Sequence, residues 1–139
     1  MAWQFTARAP VYLQIVSRIR AYILGGVYKA DEQIPAVRQL AFEAGVNPNT
    51  MQRAFSVLEA EKLFVTRGTL GRFITTDEGV LAAARETLRR ETVARLTEEA
   101  MAVGLTPEEL IQGIRAYVQA QSPEQQANMD TDTKGVNSL

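Results

Sequence analysis

Residues 37–58 read VRQLAFEAGVNPNTMQRAFSVL, and this stretch decides the fold. Pro35 sits just ahead at a favourable first helical position, and Val37, Leu40, Ala41 and Ala44 recur at three- and four-residue steps. Gly45 ends this first helix, because glycine reaches the left-handed backbone region without steric penalty. Asn47 can then cap the free backbone donors of a second helix, with Pro48 in its first turn. That helix carries Met51, Ala54, Phe55 and Leu58 along one face. Two helices cross steeply through so short a turn only if the crossing point is small and the turn residue permissive. Ala41 and Gly45 meet those needs in that order, so a helix-turn-helix is expected.

With Met51, Phe55 and Leu58 turned inward, the opposite face of the second helix shows Asn49, Arg53 and Ser56, flanked by Thr50 and Gln52. Each of these side chains can hydrogen-bond and none is acidic. A face built only for solvation would mix in Glu or Asp, as the other surface helices of this chain do. Amides, hydroxyls and one arginine suit base edges and phosphate oxygens in a major groove. The helix start at Asn47 is expected to offer backbone N–H groups to a phosphate as well.

Working outward, Tyr12, Ile15, Val16, Ile19, Tyr22 and Ile23 form one face of an amphipathic helix after Pro10, stopped by Gly25-Gly26. Trp3 and Phe5 alternate with polar neighbours, which suggests a short extended arm. Beyond the second helix, two β-type runs at 63–67 and 72–76 flank Gly68-Thr69-Leu70-Gly71, the pattern of a hairpin. Leu81, Ala84, Leu88, Thr92, Leu96, Ala100 and Val103 then hold a helical rhythm over about seven turns, until Gly104. Thr106-Pro107-Glu108-Glu109 opens a last helix with the signature of a capping box, and Leu110, Ile111, Ile114, Tyr117 and Val118 follow. A long apolar stripe with one short partner leaves surface over, so Leu81, Ala84, Leu88, Leu96, Ile111 and Ile114 are expected at a dimer contact. Residues 122–139 are polar and aperiodic and are expected to stay mobile. The fold class is therefore mainly α with a small β-hairpin, followed by a two-helix extension.

The 139-residue chain has 15 Lys and Arg against 16 Asp and Glu, a net charge of −1. That balance hides an asymmetry: residues 1–77 hold nine basic and six acidic residues, residues 78–139 six and ten. A polyanion partner is thus favoured at one end only. There is no cysteine and no histidine, which excludes disulfides, thiolate metal sites, a Cys nucleophile and the commonest acid–base side chain. No catalytic residue, metal ligand set or cofactor is expected, and Glu98-Glu99 and Glu108-Glu109 are read as solvation and capping. The turn at 68–71 lacks the Gly-Lys-Ser/Thr of a phosphate loop. No apolar run approaches the ~18 residues of a membrane span. Met1-Ala2-Trp3-Gln4-Phe5 lacks a charged segment leading into an apolar one, so no secretory leader and a cytoplasmic location are expected.

Three segments together carry a family resemblance: Pro10-Val11-Tyr12-Leu13-Gln14-Ile15, Ile34-Pro35-Ala36-Val37-Arg38-Gln39-Leu40-Ala41, and Gly45-Val46-Asn47-Pro48-Asn49-Thr50-Met51-Gln52-Arg53-Ala54. The chain resembles the GntR family of bacterial winged helix-turn-helix transcription regulators, and its brief extension resembles the YtrA-type branch. The resemblance implies a homodimeric DNA-binding regulator, usually a repressor, on a near-palindromic operator, often of transporter genes. It divides the chain into a DNA-binding domain at 9–77, a helical dimerisation extension at 78–121 and the polar tail. It makes Arg38 a phosphate and base contact, and Asn47, Asn49, Thr50 and Gln52 contacts of the recognition helix. Gly68 and Thr69 would form the wing tip in the adjacent minor groove. Leu70 departs from the family pattern, which favours a polar residue or glycine there. Arg53, Arg67 and Arg72 complete the expected DNA-facing set, with Arg38, Arg67 and Arg72 supplying phosphate contacts. A small-molecule effector is left unassigned, since two helices seldom enclose a pocket by themselves. The alternative is an adaptor whose winged helix packs on a protein; it requires an apolar patch where the sequence places Asn, Thr, Gln, Arg and Ser.

Overall fold

A computed structural model describes residues 2–121, and the tail expected to be mobile at 122–139 lies outside the described residues. The elements are α1 (Val11–Leu24), α2 (Val37–Ala44), α3 (Pro48–Ala60), β1 (Phe64–Thr66), a 3-10 turn (Gly68–Leu70), β2 (Arg72–Ile74), α4 (Glu78–Ala102) and α5 (Pro107–Gln119). They fall into two compact units divided after Leu88. The first unit therefore takes in the N-terminal arm and the opening turns of α4, both outside the 9–77 span read from sequence.

In the first unit, α1 contributes Ile15, Val16, Ile19 and Ile23 to the core, α2 contributes Leu40, Ala41 and Ala44, and α3 contributes Met51, Ala54, Phe55 and Leu58. These are the apolar stripes of the three helical patterns. Phe55 meets Phe64 of β1 edge to face, with ring centroids 5.1 Å apart. Burying each such side chain favours the fold by roughly 1.5–3 kcal/mol. The turn between α2 and α3 follows its local signals. Gly45 lies at φ 73, and the Asn47 side chain accepts from the Asn49 N–H at 2.8 Å.

The hairpin pairs Phe64 with Ile74, Val65 with Phe73 and Thr66 with Arg72, in antiparallel register. The ladder is shorter at both ends than the sequence runs at 63–67 and 72–76. A third edge was not anticipated. Residues 32–34 run along β2, with Ile34 N–H donating to Arg72 O at 2.8 Å and Ile74 N–H to Glu32 O at 2.9 Å. Glu-Gln-Ile followed by proline is too short and too polar to show a period of two. The arm is likewise more than an extension. Trp3 N–H donates to Ala44 O at 3.1 Å, and Trp3 and Phe5 pack against the core.

Asp77 follows β2 closely and caps α4, its carboxylate accepting from the N–H groups of Gly79 and Val80 at 2.9 and 3.2 Å. The opening turns of the helix are thereby held on the winged core. Leu81 is 7% exposed within that core and Ala84 packs against it. Leu81, expected at a dimer contact, is thus used inside the protomer, while Ala84 is half-buried beside it. In the second unit, the capping box of α5 forms as read. Glu109 N–H donates to Thr106 Oγ1 and Thr106 N–H to Glu109 Oε1, each at 3.1 Å. Yet α5 has no buried residue. Among the described residues, no helix is long and apolar enough to cross a membrane.

Candidate nucleic-acid interface

α3 turns Met51, Ala54, Phe55 and Leu58 fully inward, which fixes what its other side presents. Asn49, Gln52, Arg53 and Ser56 are exposed there, and Thr50 is half-buried. The Ser56 hydroxyl donates back to Gln52 O at 3.0 Å, so its proton is committed to the helix. From Asn47 to Leu58 the helix carries no carboxylate. Glu59 and Glu61, which follow, are ion-paired with Arg72 and Arg20. The outward face of α3 is thus polar and without negative charge along its first three turns.

One expectation about this helix is not met. Its backbone donors are already engaged: Pro48 has no N–H, Asn49 N–H bonds the Asn47 side chain, and Thr50 N–H bonds Asn47 O at 3.0 Å. Asn47 remains exposed, but its side-chain oxygen serves the cap. The start of α3 therefore presents side chains, not free amides, at its surface.

Sequence reasoning also missed how the start of α1 contributes. Val11 and Tyr12 join Asn49, Thr50 and Arg53 around one open cleft of about 350 Å³. The Arg53 guanidinium lies 3.9 Å from the centroid of the Tyr12 ring, which holds it against the half-buried aromatic. Tyr12 packs against the core, in keeping with its place on the apolar face of α1, and its ring carries Arg53 as well. An aromatic at the opening turn of a helix was the available signal, but its neighbour across the fold is invisible in the sequence.

The remaining arginines divide by environment. Arg38 stands exposed on the first turn of α2, with no ion pair among the described residues. Arg67 pairs with Asp31 and lies 4.4 Å from the Phe73 ring centroid. Arg72 pairs with Glu59, lies over Phe55 and is partly buried. Arg72 thus braces α3 against the hairpin, a role the sequence reading did not foresee.

The hairpin turn itself is rigidly made. Gly68 lies at φ 52 and Gly71 at φ 112, Arg67 N–H donates to Gly71 O at 2.9 Å, and the Gln33 side chain donates to Leu70 O at 2.7 Å. Gly68, Thr69 and Leu70 are exposed on it, Leu70 by 68%. Of the other residues expected at a dimer contact, Leu88 is half-buried, while Leu96, Ile111 and Ile114 are 40, 51 and 47% exposed.

Comparison with known proteins gives a consistent picture. Residues 11–74 match the family model described as bacterial regulatory proteins, gntR family. The chain is 31% identical over 116 residues to YhcF, an HTH-type transcriptional regulator of Bacillus subtilis, covering 84% of this chain and 96% of that protein. It is 30% identical over 107 residues to the HTH-type transcriptional repressor YtrA of Bacillus subtilis, covering 76% and 82%. Among solved structures, it is similar to a GntR family transcriptional regulator from Listeria monocytogenes at a TM-score of 0.72 and 28% identity, covering 81% and 98%.

Proposed function

The chain belongs to the GntR family of bacterial regulatory proteins, in its YtrA-type branch, and from this premise we propose that it is a homodimeric repressor acting on a near-palindromic DNA operator. It is a winged helix-turn-helix transcriptional regulator, not an enzyme. The observation that carries the proposal is the exposed face of the first three turns of α3, free of carboxylates, where Asn49, Gln52 and Arg53 stand over a buried apolar stripe. Such a face fits a major groove, and a second copy repeats it roughly 34 Å away along the duplex. Repression is supported by the similarity to YtrA, a transcriptional repressor of Bacillus subtilis. Dimerisation is supported by α5, which is amphipathic in sequence but has no fully buried residue within its own unit, with Ile111 and Ile114 about half exposed.

In this reading Arg38 binds phosphate, with Asn47 and the wing residues Arg67, Gly68 and Thr69 contributing to position. Asn49, Thr50, Gln52 and Arg53 choose the sequence. Arg72 contributes least, because its charge is already answered by Glu59. An exposed α3 face of amides and hydroxyls gives a protein-docking adaptor no apolar patch to use. The test begins with selection of bound fragments from random duplex DNA, which reports half-site spacing and sequence together. Arg38→Ala is expected to weaken binding to every sequence and to lower the salt slope by about 0.9. Gln52→Ala is expected to relax preference at one operator position, by about 1–3 kcal/mol of discrimination. Unchanged affinity of Arg38→Ala for all DNA would exclude this docking.

A further inference from the structure

We propose that Asp31 is a specificity-determining residue: it occupies Arg67 in the free protein and competes with DNA phosphate for it, an inference that rests on the DNA-binding reading above. Two independent observations meet at this residue. Asp31 has φ 68, one of two non-glycine residues with positive φ among the described residues. Its carboxylate is also ion-paired with Arg67, thirty-six positions away. The left-handed backbone is a conformation that glycine adopts without penalty and aspartate tolerates at a cost. A residue kept in such a conformation points to a role for its side chain, and here that side chain meets the wing.

The wing is otherwise fixed from the same segment. Asp31 N–H donates to Ile74 O at 3.0 Å, and Gln33, two residues on, donates to Leu70 O. One side chain of the segment thus holds the turn while another holds its arginine. The Arg67 guanidinium lies over the Phe73 ring, 4.4 Å from its centroid, a contact that restrains it and leaves its N–H groups for an oxyanion. Carboxylate and phosphate oxygens present that edge with the same chemistry.

Exposure decides which pair can exchange partners. The Arg67 and Asp31 side chains are 42 and 56% exposed, against 28 and 33% for Arg72 and Glu59. An ion pair so open to water is worth little and gives way readily to a phosphate. The Asp31 carboxylate also repels a phosphate that approaches without displacing it. Random duplex DNA, which seats the wing loosely, gains little from Arg67. A cognate site, which seats it fully, recovers the contact. Asp31 thereby lowers affinity for wrong sequences more than for right ones.

The test uses the full-length chain, fluorescence anisotropy, a random-sequence duplex and a duplex selected for tight binding, each over a range of salt. Asp31→Asn keeps the shape and the tolerance for positive φ while removing the charge. It is expected to bind random duplex about five- to tenfold tighter at low salt, with a salt slope steeper by about 0.9. The ratio of selected to random affinity is expected to fall. Asp31→Gly, suited to this backbone, is expected to give the same shifts, which separates charge from folding. In an Arg67→Met background both gains are expected to vanish. Random-duplex affinity and slope unchanged in both Asp31 variants, or a gain that survives Arg67→Met, overturns the inference while leaving the DNA-binding reading intact. A wild-type chain that binds no duplex at low salt overturns both.

Discussion

Gly45 does two things that no other residue does as cheaply. Its φ of 73 lets α2 turn into α3, and a Cβ placed on it would stand 3.0 Å from Ala2 Cβ. Gly45→Ala therefore combines left-handed strain with crowding from the arm, and is expected to cost about 1–3 kcal/mol, read from the urea midpoint. Tyr28 shows the same dependence on surroundings. Burial raises its phenol above the ordinary value of 10.0, and the charges of Glu43, Tyr22 and Glu32 add to the effect. The neutral phenol is thus favoured by folding. Its contribution to stability is fully present below about pH 10 and is lost as pH rises from there through the higher folded value. A urea midpoint that falls above about pH 10, and falls less steeply in Tyr28→Phe, is the expected outcome. Phenylalanine keeps the edge-to-face contact with Tyr22, whose ring lies 5.7 Å away.

Elements were legible where their signals are local. The cap and proline of α3, the capping box of α5 and the stripes of α1 and α3 lie within a few residues of one another, and all formed. The arm was not legible as a packed element, because Trp3 works through distant partners. Its ring meets Tyr22 edge to face at 6.2 Å, with the Arg18 guanidinium 4.8 Å from its centroid, while its backbone N–H ties the arm to the end of α2. Trp3→Ala is expected to destabilise the first unit by about 1–3 kcal/mol, less than a fully buried tryptophan would, and Trp3→Phe by less again. Thermal melting of the two variants side by side checks this. The wing was legible as a hairpin and not as a braced one. Its third edge at 32–34 and its ion pairs come from segments that sequence periodicity does not join.

For the molecule as a whole, the two units respond differently to loss of apolar residues. Leu81→Ala opens a cavity in the winged core and is expected to cost about 2–4 kcal/mol of that unit's stability. Ile111→Asp with Ile114→Asp alters residues exposed in the protomer, so the winged unit is expected to melt as before. If α5 serves a second copy, the double variant sediments as a monomer and loses the affinity that two half-sites supply together. A dimer that persists in that variant removes Ile111 and Ile114 from the contact. Leu81 and Leu96 sit on one helix and on one periodic stripe, yet one is buried in the protomer and the other is 40% exposed. Periodicity identifies an apolar face; what covers that face is a tertiary matter.

The amino-acid sequence by itself determined the helix-turn-helix, the hairpin, the long and short C-terminal helices and the acid-free face of α3. Each of these depends on backbone preference, capping or side-chain spacing within one or two turns of chain. Only the tertiary structure decided which charge answers which. Arg67 meets Asp31 from 36 residues away, Arg20 meets Glu61 from 41, and Arg72 meets Glu59 from 13. It also decided that Tyr12 lies under Arg53, that Leu81 belongs to the winged core and that the N–H groups opening α3 are already bonded. Long-range pairs form because the core brings their elements together, and the core is a property of the folded chain, not of any segment that enters it.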